Sequence, residues 1–311
     1  MPYRIAVLDD WQRNALLLAD WSAVQARADV VVFHDHMQDD EAAQRLRDFD
    51  ALCLMRERMA MPRALIEALP RLKLLCTTGP RHRTLDYDAA AERGIPVLAA
   101  AGTEDGNSST IELAWGLILS LARRLPDEVQ TMRSGGWQTR PGRVLRGKTI
   151  GLVGLGRQGK QMVPVAQAFG MKVLAWSTNL TPEDAAAAGA EYATKEELFS
   201  RSDVVSLHLV LSQRSRGIIG RDDLQRMKPD AVLVNTARAA LVDGDALYEH
   251  LSQSRIAGVA IDVFEQEPLA ADHRLRALPN VILTPHLGYA TQEQLAGFYR
   301  GTVANLLAHL P

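Results

Sequence analysis

Cysteine is scarce in this chain: of 311 residues only Cys53 and Cys76 are cysteine, and neither belongs to a C-x-x-C pair or a metal-ligand spacing. Each lies inside a strand-like apolar run, so both read as reduced core residues and no metal site is expected. A positive charge excess is missing as well. With 35 Lys and Arg against 37 Asp and Glu the formal net charge is −2, which leaves no polybasic surface for nucleic acid or an anionic membrane. Long apolar runs are also lacking. The longest apolar helical candidate, residues 111–122, contains Glu112 and falls short of the roughly 20 residues that span a bilayer. The N-terminal stretch begins directly with a strand pattern and lacks the charged, apolar and cleavage regions of a secretory signal. The expectation is a cytoplasmic protein with a small-molecule substrate and no nucleic-acid or membrane partner.

What is present is ordinary globular composition, 47% hydrophobic and 23% charged, in a chain long enough for about two domains. Short β-rich runs alternate with helical stretches, at residues 4–8, 30–33, 51–55, 72–76 and 95–98. A long apolar helix follows near 108–122, and after residue 148 strands recur near 150, 173, 204–209, 231–234, 258–261 and 281–283. Such alternation predicts two doubly wound α/β domains with parallel sheets. The first crossing between them is expected near residue 100, and the helical pattern from Thr291 to Leu310 is expected to return to the first domain.

The most informative segment is Val153-Gly154-Leu155-Gly156-Arg157-Gln158-Gly159. Three glycines at G-x-G-x-x-G spacing are a weak signal alone, but here an apolar run precedes them. A helical pattern (Met162, Val163, Val165, Ala166, Phe169) follows, and a second strand at residues 171–176 completes a βαβ unit. In such a unit the first glycine permits a tight turn, the second admits the backbone to a pyrophosphate, and the third lets the helix pack close to its strand. The helix N–H groups and positive dipole end face the anion. NAD-preferring versions carry an acid about 20 residues beyond the glycines, which grips the ribose 2′-hydroxyl. Here that position is Ser177, followed by Thr178 and Asn179. This neutral edge tolerates a 2′-phosphate, although no arginine follows to attract one, so the cofactor expectation is NAD or NADP with tolerance of NADP.

Three polar residues fall just beyond expected strands of the second sheet, where open α/β sheets bind ligands. Arg238 follows the run Val232 to Ala237 and offers a planar fork suited to a carboxylate. Glu267 lies in an acidic loop, and His286, at a strand-to-helix corner, carries a side chain able to hold a proton near neutral pH. Each has a plain alternative: a surface arginine, an exposed loop acid, a capping histidine. Together they supply the parts for reducing a 2-keto acid with a nicotinamide cofactor.

At these residues the chain resembles the D-isomer-specific 2-hydroxyacid dehydrogenase family, over almost its entire length. The matching stretches are the glycine segment, Asn235-Thr236-Ala237-Arg238-Ala239-Ala240-Leu241-Val242-Asp243, Asp262-Val263-Phe264-Glu265-Gln266-Glu267-Pro268-Leu269 and Thr284-Pro285-His286-Leu287-Gly288-Tyr289. The resemblance implies a Rossmann cofactor domain, residues 101–284, inserted in a flavodoxin-like substrate domain made of residues 1–100 and 285–311, usually in a homodimer. It implies that Arg238, Glu267 and His286 are catalytic, that Asp262 neighbours them and the nicotinamide, and that Arg157 and Gln158 face the pyrophosphate. Thr236 joins the cofactor set. The backbone at Thr78 and Gly79 is expected to receive the substrate carboxylate. Arg81 departs from the pattern, standing where members commonly carry an acid. With Arg56 on an earlier loop it is expected to select a substrate with a second anionic group, the alternative being surface salt links. Two other readings fall within the resemblance: a cofactor-sensing corepressor, for which no appended docking segment is expected here, and a phosphite dehydrogenase, which shares the trio. Formate dehydrogenases of the family generally carry glutamine at the Glu267 position.

Overall fold

The computed structural model describes residues 2–79, 81–103 and 108–311. They form two α/β units, Met1–Gly106 with Ala290–Pro311, and Asn107–Tyr289. Both crossings come later than residues 100 and 284, for reasons of hydrogen bonding. Thr103 stays with the first unit because the Gln294 Oε1 accepts its N–H (3.1 Å) and its hydroxyl (2.8 Å). The segment after Pro285 stays with the second unit because Asp262 accepts the N–H groups of Leu287 and Gly288. His286 therefore shares a unit with Arg238 and Glu267.

The first unit holds a parallel sheet of β1 (Tyr3–Val7), β2 (Ala28–Val32), β3 (Ala51–Leu54), β4 (Leu74–Thr78) and β5 (Val97–Ala100), in the order β2-β1-β3-β4-β5. The central strands β3 and β4 are buried along their whole length, which is why β3 and the first three residues of β4 read as apolar runs without alternation, β4 ending on the buried Thr77 and Thr78. The helix Gln292–His309 packs along β5 and β4. Its close approach uses Gly301, where a Cβ would come within 2.8 Å of the Ala100 Cβ.

The second unit holds β6 (Thr149–Val153), β7 (Lys172–Trp176), β8 (Glu191–Tyr192), β9 (Val204–Leu207), β10 (Val232–Asn235), β11 (Gly258–Ile261) and β12 (Val281–Leu283). All pair in parallel, in the order β12-β11-β10-β9-β6-β7-β8. The helix Ser108–Arg123 covers one face through Ile111, Ala114, Leu117 and Ile118, which pack with Ile150, Leu152, Val234 and Ala260. The other face buries Leu198, Phe199, Leu233, Leu247 and Val259, each large side chain contributing about 1.5–3 kcal/mol. The winding direction reverses between β6 and β9, so the ligand crevice of this sheet is expected at their carboxyl ends.

Candidate active site

The glycine turn sits at that reversal. Gly154 follows β6 with φ +104°, a conformation that L side chains rarely adopt, and a Cβ there would lie 2.8 Å from the His208 carbonyl carbon beyond β9. A Cβ on Gly159 would lie 2.1 Å from the Gly154 carbonyl oxygen, so the helix Arg157–Ala168 leaves the turn at glycine-only separation. Gly156 caps that helix without a side-chain hydrogen bond, and no other group lies within 4 Å of where its Cβ would be. The turn thus presents open space in front of uncapped helix N–H groups, at Arg157 and Gln158, which fits a pyrophosphate. Behind the turn His208 is buried, its Nε2 2.9 Å from the Ser206 hydroxyl, and burial pushes its imidazole down to about 4. It is neutral near pH 7 and adds no charge behind the glycine turn.

Ser177 follows β7 half-buried, and Thr178 and Asn179 follow it on the same edge. The Thr236 hydroxyl, beyond β10, is buried with no hydrogen-bond partner among the described residues, an orphan that a bound amide or hydroxyl group satisfies. With the open glycine turn it makes the residues present fit a nicotinamide dinucleotide.

Arg238 owes its position to Asn235, the last residue of β10. The Asn235 Oδ1 accepts the Ala237 N–H (3.0 Å) and its Nδ2 donates to the Arg238 carbonyl (2.9 Å), an Asx turn that ends the strand and carries Arg238 out of it. The guanidinium is half-buried and donates through Nη1 to the Ala237 carbonyl at 2.7 Å. Glu267 and His286 meet directly: Nδ1 of His286 donates to Oε2 of Glu267 at 2.6 Å, while Oε1 accepts the Phe264 N–H at 2.9 Å. Burial raises the Glu267 carboxyl, but the His286 bond and charge, the Phe264 N–H and the Arg238 charge outweigh it and hold the group below the usual glutamate value. The Arg238 charge is thus felt at Glu267, so the three residues named from sequence belong to one electrostatic cluster.

Asp262, fully buried after β11, holds the turn that carries the histidine. Its Oδ1 accepts the Thr284 hydroxyl (2.6 Å) and the Leu287 N–H (2.7 Å), and its Oδ2 accepts the Gly288 N–H (2.9 Å). His286 itself has φ +53°, a strained backbone for this residue type of about 1–3 kcal/mol, persisting because its surroundings fix it. Burial raises the Asp262 carboxyl above its ordinary value against those hydrogen bonds and the His286 charge. The roles of Asn235, Phe264 and Thr284 are not apparent in the sequence, since a backbone donor or a turn-forming amide leaves no spacing signal.

The residues named in the first unit form a separate group. Thr78 accepts the Arg56 N–H at 2.7 Å through its hydroxyl. The Arg56 guanidinium lies over Gly79, where a Cβ would come within 1.8 Å of Nη1, and Gly79 has φ +82°. The Gly79 N–H donates to the Ala100 carbonyl at 2.9 Å and is committed to the edge of β5. Arg81 is exposed, with Cζ 5.8 Å from the Tyr87 ring centroid. Arg58, by contrast, is buried and donates to the Asp9 carbonyl (2.5 Å) and to Gln12 (3.2 Å). Among the described residues no group of three metal-ligating side chains occurs, and no helix is long and apolar enough to cross a membrane.

Residues 115–288 match the model of the NAD-binding domain of D-isomer-specific 2-hydroxyacid dehydrogenases. The chain is 37% identical over 275 residues to a glyoxylate reductase of Thermococcus litoralis, covering 85% of this chain and 82% of that one. It is 34% identical over 295 residues to a hydroxypyruvate reductase of Thermotoga maritima, covering 94% and 93%. Among solved structures, a phosphoglycerate oxidoreductase of Vibrio cholerae O395 matches with a TM-score of 0.92 at 36% identity, over 98% of both chains. The glycine turn, the Arg238, Glu267 and His286 cluster and these likenesses agree: the chain belongs to the D-isomer-specific 2-hydroxyacid dehydrogenase family and is a nicotinamide-dependent oxidoreductase.

Proposed function

We propose that Arg238, Glu267 and His286 are the catalytic residues with which this dehydrogenase reduces a short 2-keto acid to the D-2-hydroxy acid. The observation that carries the reading is the 2.6 Å bond between His286 and Glu267, in the electrostatic field of Arg238. A bound reduced nicotinamide supplies hydride to the carbonyl carbon. As negative charge grows on the carbonyl oxygen, His286 donates a proton from Nε2 as general acid. Glu267 orients the ring through Nδ1. Arg238 binds the substrate carboxylate through its planar fork and polarises the carbonyl. In oxidation His286 is the base.

The pyrophosphate is held by the turn at Gly154, Gly156 and Gly159 with Arg157 and Gln158, the adenosine ribose by Ser177 and Thr178, and the nicotinamide beside Thr236 and Asp262. The neutral Ser177 edge supports use of both NADH and NADPH. The names of the relatives, glyoxylate and hydroxypyruvate reductases, support small keto acids. The Arg56 guanidinium seated over Gly79 and the exposed Arg81 support a preference for substrates with a second anionic group. A homodimer accords with five exposed apolar side chains within residues 125–144, Leu125, Val129, Met132, Trp137 and Val144.

Oxidation of NADH and NADPH at equal concentration, across glyoxylate, hydroxypyruvate, a dicarboxylic and a phosphorylated 2-keto acid, tests this reading. Turnover with 2-keto acids and both cofactors is expected, with the doubly anionic acids favoured by the parent and not by Arg56→Ala or Arg81→Ala. No oxidation with any keto acid overturns the activity, a strong NADH preference overturns the tolerance, and equal efficiency with singly and doubly anionic acids overturns the second anion site.

A further inference from the structure

Tyr289 closes the 3-10 turn Leu287–Tyr289 and is 9% exposed. Its ring meets the His286 imidazole nearly at right angles, with centroids 5.3 Å apart and planes inclined by 77°. The backbone between the two rings is pinned on both sides. Asp262 accepts the N–H groups of Leu287 and Gly288. The Ser109 and Thr110 hydroxyls both donate to the Gly288 carbonyl at 2.8 Å, and a Cβ on Gly288 would press within 3.2 Å of Asp262 and 3.3 Å of Thr110. Tyr289 is therefore a fixed wall beside the imidazole.

That wall supplies a constraint that Glu267 does not. The Nδ1 bond to Glu267 holds the ring only to within the width of a hydrogen-bond well, and the rocking that this leaves carries Nε2, on the far side of the ring, with it. Proton transfer requires that nitrogen within hydrogen-bond reach of the substrate oxygen. An aromatic neighbour in an edge-to-face arrangement restricts the rocking and favours one ring plane. We propose that Tyr289 is a positioning residue for the reaction, its ring fixing the plane of the His286 imidazole so that Nε2 is held towards the carbonyl oxygen. The proposal rests on the reading of His286 as the acid, and it concerns the Tyr289 ring alone.

Three substitutions test it, with kcat, keto-acid KM, NADH Kd and thermal stability measured for each. Tyr289→Leu and Tyr289→Met fill the site without a ring, and Tyr289→Phe keeps the ring. The ringless variants are expected to lose about 10–100-fold in kcat, the scale of a misplaced reacting group, while binding NADH as the parent does. Tyr289→Phe is expected to stay within about threefold of the parent kcat, a rescue that locates the effect in the ring. A ringless variant that folds, binds NADH and turns over within about threefold of the parent overturns the assignment. So does a Tyr289→Phe variant as impaired as Tyr289→Leu. His286→Asn, measured alongside, separates the two readings. If it retains turnover, the acid itself is misassigned; if it is inactive while Tyr289→Leu is parent-like, only the Tyr289 role falls.

Discussion

Gly159 stands so close to Gly154 that a methyl group on the first would overlap the carbonyl oxygen of the second, at 2.1 Å. The two glycines are thus coupled, one by its positive φ and the other by its contact with the first. Gly159→Ala must push the helix Arg157–Ala168 away from β6 or distort the turn, an overpacking cost of about 1–3 kcal/mol. Because the displaced atoms include the N–H groups proposed to face the pyrophosphate, the cost is expected in cofactor binding. NADH Kd measured by fluorescence titration should rise about tenfold, with keto-acid KM at saturating cofactor little changed. An unaltered Kd removes the assigned role of the turn.

Arg238→Lys tests recognition by shape. The ammonium keeps the charge but offers a point donor where the guanidinium offers a planar fork, so it cannot bind a carboxylate through two parallel bonds. Both terms should suffer, with keto-acid KM rising and kcat/KM falling by about two orders of magnitude. The variant should retain the Asx turn of Asn235 and its thermal stability, because the Asn235 bonds involve only the backbone of residues 237 and 238. Steady-state kinetics matching the parent removes Arg238 from substrate binding.

Glu267→Gln tests the partner of the acid through pH. The Glu267 carboxyl is held below its ordinary value by His286, Phe264 and Arg238 in spite of its burial, so it is ionised at neutral pH. Its lowered value means that it stabilises the fold above the unfolded-state pKa and that this contribution fades as pH falls through the folded-state value. The same carboxylate orients the imidazole through Nδ1. In Glu267→Gln the charge is gone at every pH and the Nδ1 partner is weakened, so kcat for reduction should fall by about tenfold or more. The acid-side loss of thermal stability due to this carboxyl should also disappear. A kcat profile superimposable on the parent's counts against the pairing.

The sequence exposes those parts of the site whose position follows from local patterning. Arg238 and the glycine turn each follow a continuous apolar run that becomes a buried strand, β10 and β6, and a strand end is where side chains turn outward in a parallel sheet. The two crossings between units are not readable to the residue. They depend on Gln294 reaching back to Thr103 and on Asp262 reaching forward to Leu287 and Gly288, contacts without local periodicity. The strand β8 is hidden for a different reason: Glu191–Tyr192 is two exposed residues long and carries no apolar run. The commitment of the Gly79 N–H to Ala100 is likewise a pairing across strands β4 and β5, invisible in the loop's own residues.

Asp262→Asn tests whether the histidine's backbone, and not only its ring, needs support. The carboxylate accepts from Thr284, Leu287 and Gly288 through two oxygens, whereas asparagine has one acceptor and a donor in place of the other. One N–H, that of Gly288 or of Leu287, is then left facing an amide NH2, a buried mismatch of about 1–3 kcal/mol, next to a His286 already held at positive φ. Thermal stability and kcat should both fall, and the loss should exceed that from removing the Thr284 hydroxyl alone by Thr284→Val. The pH dependence distinguishes the charge from the hydrogen bonds. Burial raises the Asp262 carboxyl above its ordinary value, so in the parent its contribution to stability is full below the unfolded-state pKa and is lost as pH rises through the folded-state value. The amide of the Asp262→Asn variant has no such titration. The stability difference between parent and variant should therefore be largest in acid and narrow towards neutral pH, leaving the hydrogen-bond mismatch as the remainder. A difference that grows with pH shows that the ionised carboxylate is the favoured form in the fold.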